Sequence, residues 1–122
     1  MPASDPPLTW ETLRAFALSL DLPEVIDAVS WGYPNLKAHG KMWVWWNPKE
    51  DAPVFKTSFE ERSFLCEVDP DTFFITNHYR NYPLILARPD KVDLDWVRAN
   101  LIRAWRTQAK KTWLKKWDAG QS

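Results

Sequence analysis

The run KMWVWW, from Lys41 to Trp46, leaves little choice about the local structure around it. Aromatic and β-branched residues have weak helix preference and suit a pleated surface, so this run is a strand. Gly40 closes it on one side. On the other, NPKEDAP (Asn47–Pro53) is a loop of turn-formers that leads into the return strand VFKTS. Alternation along the strand places Lys41, Trp43 and Trp45 on one face and Met42, Val44 and Trp46 on the other. The Met and Val face belongs on a core under helices. The opposite face carries a lysine and two indoles, joined by Lys56 from the return strand, which shares its own face with Val54 and Ser58.

The flanking segments build a mixed fold. Thr9 caps a helix whose stripe is Trp10, Leu13, Phe16, Ala17 and Leu20, and DLP ends it before Pro23. DAVSWGYP reads as a strand running into a Gly/Pro turn, and NLKAHG as a short strand closed by Gly40. Ser58 with Glu61 forms a capping box for a short helix through Phe64, Leu65 and Val68. FFIT and PLILARP are strands separated by the loop NHYRNY. Asp93 caps a long helix with Leu94, Val97, Leu101, Ala104 and Trp105 on its buried stripe, and nothing breaks that helix before about Trp117. The order is helix, three antiparallel strands, short helix, two strands, long helix. That order is α+β: a two-layer domain with an antiparallel five-stranded sheet and helices packed on one face. Residues 1–8 are expected to be a flexible lead, 9–117 a single domain and 118–122 a flexible tail.

At 122 residues the chain can bury one real core. Nine tryptophans exceed what such a core holds, so some indoles belong at the surface. The formal charge is zero, which argues against strong sequence-blind binding to nucleic acid. The charge is unevenly spread, however. Seven cations and no acid lie between Arg98 and Trp117, leaving nine cations against all sixteen acids elsewhere. A single cysteine, Cys66, excludes an internal disulfide and a Cys-based metal site, and its apolar helix neighbours suggest a buried, inert thiol. No apolar run approaches a membrane span and the first residues show no leader, so a cytoplasmic protein is expected.

Several separated motifs occur together in one order. They are LPEV, SWGYPNLKAHGKMW, the strand lysine Lys56, Glu60-Glu61-Arg62 with Leu65, DPDTFFITNHYRNYPLILAR, VDLDWVR and AWR. From Leu22 to about Lys111 the chain resembles the MmcQ/YjbR family of small bacterial proteins. The resemblance implies a two-layer α+β fold with an antiparallel sheet. It also implies a DNA-binding role, which rests on likeness to a double-wing arrangement, and it brings no catalytic residue. Trp43-Val44-Trp45-Trp46 stands where relatives often carry Phe-Ala, and KKTWLKKW lacks the proline common after AWR.

Three regions are candidate contacts. The sheet face (Lys37, Lys41, Trp43, Trp45, Lys56) combines rings and ammoniums as a base-stacking platform does; its indoles equally suit cross-strand packing, or cover by Trp113 and Trp117. In the loop, His78, Arg80 and the tyrosines fit an anion, or a loop pinned by tyrosine hydroxyls. In the last helix, Trp105, Ala109, Trp113 and Trp117 form a ridge beside Arg103, Arg106 and Lys110, suited to a partner or to docking on the domain. His39 and His78 lie far apart in no metal motif, and no cofactor is expected. The resulting expectation is a non-enzymatic domain, monomeric and off the membrane, that contacts nucleic acid weakly through these residues. The alternative is a protein-interaction or small-anion module using the same aromatic patch.

Overall fold

The computed structural model describes residues 6–121. Four helices, α1 (Trp10–Ser19), α2 (Phe59–Val68), α3 (Leu94–Gln108) and α4 (Lys111–Gln121), accompany an antiparallel sheet. The sheet has six strands, not the expected five: β1 (Val25–Ser30), β2 (Tyr33–Ala38), β3 (Lys41–Asn47), β4 (Ala52–Lys56), β5 (Phe73–Phe74) and β6 (Leu84–Ala87). Their spatial order is β1-β2-β3-β4-β6-β5. The six strand segments read from the sequence are all present, and the total of five undercounted them; Trp31-Gly32 is the complete turn between the first two. Ser30 pairs with Tyr33 across it, and φ is +51° at Trp31 and +82° at Gly32. His39-Gly40 repeats the device between Ala38 and Lys41, with φ of +55° and +79°. Two successive positive φ angles are the type I′ geometry whose twist matches a hairpin.

The expected alternation fails at one position in β3. Leu36 pairs with Val44 and Lys37 with Met42, so Trp43 is an extra residue in a β-bulge. The bulge puts Trp43 and Val44 together in the core, both fully buried, rather than on opposite faces. Trp43 Nε1 donates to the Leu101 carbonyl of α3 at 2.9 Å. Beyond the bulge, Trp45 pairs with Asn35 and Val54 and lies on the opposite sheet face. On the Trp43 side, Leu36, Val44, Phe55 and Ile85 join Leu13 and Ala17 of α1 and Val97, Leu101 and Ala104 of α3 in one cluster. The Trp45 side has a smaller cluster of Ala52, Val54, Leu86 and Tyr79.

Two helix expectations also need correction. Thr9 and Asp93 cap as expected, accepting from Thr12 N and Asp95 N. Ser58 Oγ accepts from Glu61 N, but the Glu61 carboxylate does not close a capping box; it binds Thr57 and Arg103 instead. The last helix is two helices. Ala109 is extended (ψ 147°), and α4 folds back so that Arg106 pairs with Asp118 through two bonds of 2.9 and 2.8 Å. Twelve residues of straight helix would hold these about 18 Å apart. Ala109 is no helix breaker, so packing decides: Trp113 and Trp117 stack on each other and meet Trp105 edge-on at 5.6 and 5.5 Å. The proposed tail therefore begins within α4, which runs through Gln121. At the other end Met1–Asp5 lie outside the described residues, and Leu8 is already buried, its N–H bonded to Pro89.

Trp43→Ala is expected to destabilise the protein by about 3–5 kcal/mol, as for a large aromatic lost from a packed core. Trp45→Ala should cost clearly less. Urea unfolding of both variants checks the bulge, and equal losses would contradict it.

Candidate functional site

Where β3 begins and β4 ends, the structure forms a concavity of about 860 Å³. Its walls are Lys41, Met42 and Trp45 from β3, Lys56 from β4, the start of α2, the segment Tyr82–Leu84, and Arg103, Ala104, Thr107 and Gln108 from α3. Trp45 is half-buried, its inner edge packed on the Val54–Leu86–Tyr79 cluster. Lys56 is also half-buried. Burial lowers its proton affinity, and the nearby charge of Lys41 lowers it further. Among the described residues neither ammonium has a carboxylate partner. The half-buried Lys56, with the charge of exposed Lys41 near it, is an arrangement that an anion would relieve.

The surrounding frame is polar and ordered. Asn100 Nδ2 donates to the Lys56 carbonyl at 2.8 Å, fixing the end of β4 against α3. Arg103 Nη2 donates to both carboxylate oxygens of Glu61, at 2.9 and 2.8 Å, bridging α3 to α2. Arg62 gathers the loop after β5. Its Nη1 donates to the Tyr82 and Tyr79 carbonyls at 2.7 and 3.2 Å, and its Nη2 to the Arg80 carbonyl at 3.0 Å. Tyr79 is turned inward, its hydroxyl accepting from Asn47 Nδ2 at 3.0 Å. The loop is thus pinned by a tyrosine and an arginine, and Tyr82 is left exposed on the rim.

The candidate residues divide. Lys41, Trp45, Lys56 and Arg103 line the concavity. Lys37 shares the sheet face of Trp45 and Lys56 by register, without lining it. Trp43 is in the core, where it touches no solvent. Arg106 is neutralised by Asp118 as Arg103 is by Glu61. His78 and Arg80 are exposed in the 3-10 turn region Asn77–Tyr79 and do not join Lys41, and Lys110 lies by a separate cavity. Cys66 is half-buried and its thiol is pushed up by burial. Among the described residues no cluster of His, Cys, Asp or Glu suits a metal ion, and no helix is long and apolar enough to cross a membrane. Sequence reasoning missed Gln108, Arg62 and the Glu61 bridge. Only Arg62, a lone arginine on a short helix beside a carbonyl-rich loop, left any trace.

A sequence model of the YjbR family matches residues 20–107. The chain belongs to the YjbR family. No curated protein and no solved structure matches it. The matched span holds the whole sheet, α2 and nearly all of α3, and so almost every wall of the concavity; α1 and α4 lie outside it.

One further group in this YjbR domain is displaced from its ordinary chemistry. The His39–Gly40 turn sets the His39 ring 5.2 Å from Trp105 and 4.7 Å from Trp113. Burial lowers its proton affinity below the usual 6.5, Glu24 acting against this and Lys41 with it. The unfolded chain therefore takes up a proton at a pH where the folded chain resists it, so the contribution is complete above pH ~6.5 and is lost as pH falls toward the folded value. The paired carboxylates Asp27 and Asp118 are held low and lose their partners' support only at more acid pH, below about 4. Stability should thus fall between roughly pH 7 and 5.5 in the wild type and less in His39→Asn, which tolerates the positive φ. Thermal melts across that range check it, and parallel profiles would show that His39 is not responsible.

Proposed function

We propose that this YjbR domain is a non-enzymatic binding module that takes an unpaired segment of nucleic acid at the concavity. The observation that supports it is the pair Lys41 and Lys56: two neighbouring ammoniums, one half-buried, neither in an ion pair among the described residues although Glu60 and Glu61 line the same concavity. A phosphate between them supplies the missing countercharge. Trp45 beside them offers a ring on which a base can stack, worth about 1–3 kcal/mol. Tyr82 extends the aromatic rim.

The charge balance argues for this local mode over a long duplex track. The formal charge is zero, and Arg103 and Arg106 already hold carboxylates. Few phosphates can be neutralised, so affinity is modest and the bound element is short. The resemblance to a double-wing DNA-binding fold points the same way without carrying the argument.

Fluorescence anisotropy with a short single-stranded oligonucleotide at low salt tests it. Binding is expected to fall with added salt with a slope of about 0.7 per contacted phosphate. Lys41→Ala with Lys56→Ala should weaken binding at least tenfold and flatten that slope by about 1.4, for two phosphate contacts. Trp45→Ala should weaken it without changing the slope. The reading fails if no oligonucleotide binds, if the double variant binds as the wild type does, or if inorganic phosphate binds there while oligonucleotides do not.

A further inference from the structure

A second, smaller cavity of about 310 Å³ shares Lys41 and Gln108 with the concavity and is otherwise lined by Glu24, His39, Lys110 and Trp113. Two of the lining residues each carry a buried polar atom with no partner among the described residues, Oε1 of Gln108 and Nε2 of His39. Gln108 is only 7 % exposed, so water does not readily satisfy it. Its amide orientation is fixed by its neighbours. Nε2 donates to the Ala38 carbonyl at 2.9 Å and the Lys41 carbonyl at 3.3 Å, two groups that accept and cannot donate. Oε1 is therefore an acceptor without a partner among the described residues. Burial lowers the proton affinity of His39, and a neutral imidazole carries one acceptor nitrogen.

The charges on the same wall are of both signs. Glu24 supplies a carboxylate, Lys41 and Lys110 supply ammoniums, and among the described residues none of the three is in an ion pair. A simple anion would leave Oε1 and the Glu24 carboxylate unanswered. A simple cation would meet both lysines. A ligand that carries a triple donor at one end and an anion at the other answers all of them, and Trp113 offers it an apolar ring. The volume is at the small end of the range for ligand sites.

We propose that this cavity binds a small zwitterion of the α-amino-acid class. The ligand's ammonium donates to Gln108 Oε1, the Glu24 carboxylate and the His39 ring, its carboxylate lies toward Lys41 and Lys110, and its side chain rests on Trp113. The site shares Lys41 with the proposed nucleic-acid site, but Trp45 and Lys56 have no part in it and Lys110 belongs to it alone, so the two readings can fail separately.

Isothermal titration of the full chain with glycine, L-alanine, L-leucine, L-phenylalanine and L-lysine tests the proposal, with indole fluorescence as a second readout. At least one free amino acid should bind and change Trp113 emission. Its N-acetyl and carboxamide derivatives, each lacking one charge, should bind at least tenfold more weakly. Lys110→Ala, a change at an exposed position that leaves the core intact, should reproduce the loss for the free amino acid, as should Gln108→Leu if it folds. The proposal is overturned if none of the five binds, if the capped derivatives bind as well as the free form, or if Lys110→Ala binds like the wild type.

Discussion

The indole N–H of Trp43, bonded to the Leu101 carbonyl, determines where α3 sits on the sheet. A buried Trp needs a partner for its one donor, and in a dry core the available acceptors are backbone carbonyls. The bulge in β3 turns this ring inward and so delivers the donor to the helix. Two more side chains of α3 repeat the tie on either side. Asn100 reaches the carbonyl of Lys56 at the end of β4, and Gln108 reaches those of Ala38 and Lys41 at the β2–β3 turn. Helix and sheet are thus locked by directional bonds as well as by apolar contact. The gap left between them is the concavity, whose shape follows from that registration.

The strand character of KMWVWW and the caps at Thr9 and Asp93 were legible because they depend on local propensity and on side chains three residues away or less. The bulge was not, because it depends on how β2 and β3 pair, and a single unpaired residue reverses the facing of everything beyond it. The hairpin turns were legible at their glycines. Trp31-Gly32 and His39-Gly40 are both X-Gly pairs between apolar runs, the pattern of a two-residue hairpin. The break at Ala109 was beyond local reasoning. Alanine favours helix, and only the gain from collecting three indoles and the Arg106–Asp118 pair outweighs that preference.

The same division applies to the candidate contacts. Trp45 and Lys56 were found because face-sharing in a strand is periodic, and Lys41 because it stands at the strand's end. The basic run on α3 and α4 looked like a contact surface because counting charges registers sign and not pairing. Arg103 is balanced by Glu61, forty-two residues earlier in the chain, and Arg106 by Asp118 across a turn that the sequence conceals. What distinguishes Lys56 is the reverse: it is half-buried beside a like charge and has no counter-ion among the described residues. A residue's uncompensated charge in the fold, more than its place in a basic run, marks it as a contact.

The two cavities stand in different relations to the family span. The concavity needs β3, β4, the start of α2 and α3, nearly all within residues 20–107. The smaller cavity needs Gln108, Lys110 and Trp113, which lie beyond that span. It exists because α4 folds back and sets Trp113 against His39 and Trp105. A chain with the family span alone would form the first wall of lysines and ring, and would lack both Gln108 and the ring that covers His39. The helix α4 therefore does more than extend the domain. Its Trp113 packs on the His39 ring and forms one wall of the smaller cavity, beside two buried polar atoms, His39 Nε2 and Gln108 Oε1, that have no partner among the described residues.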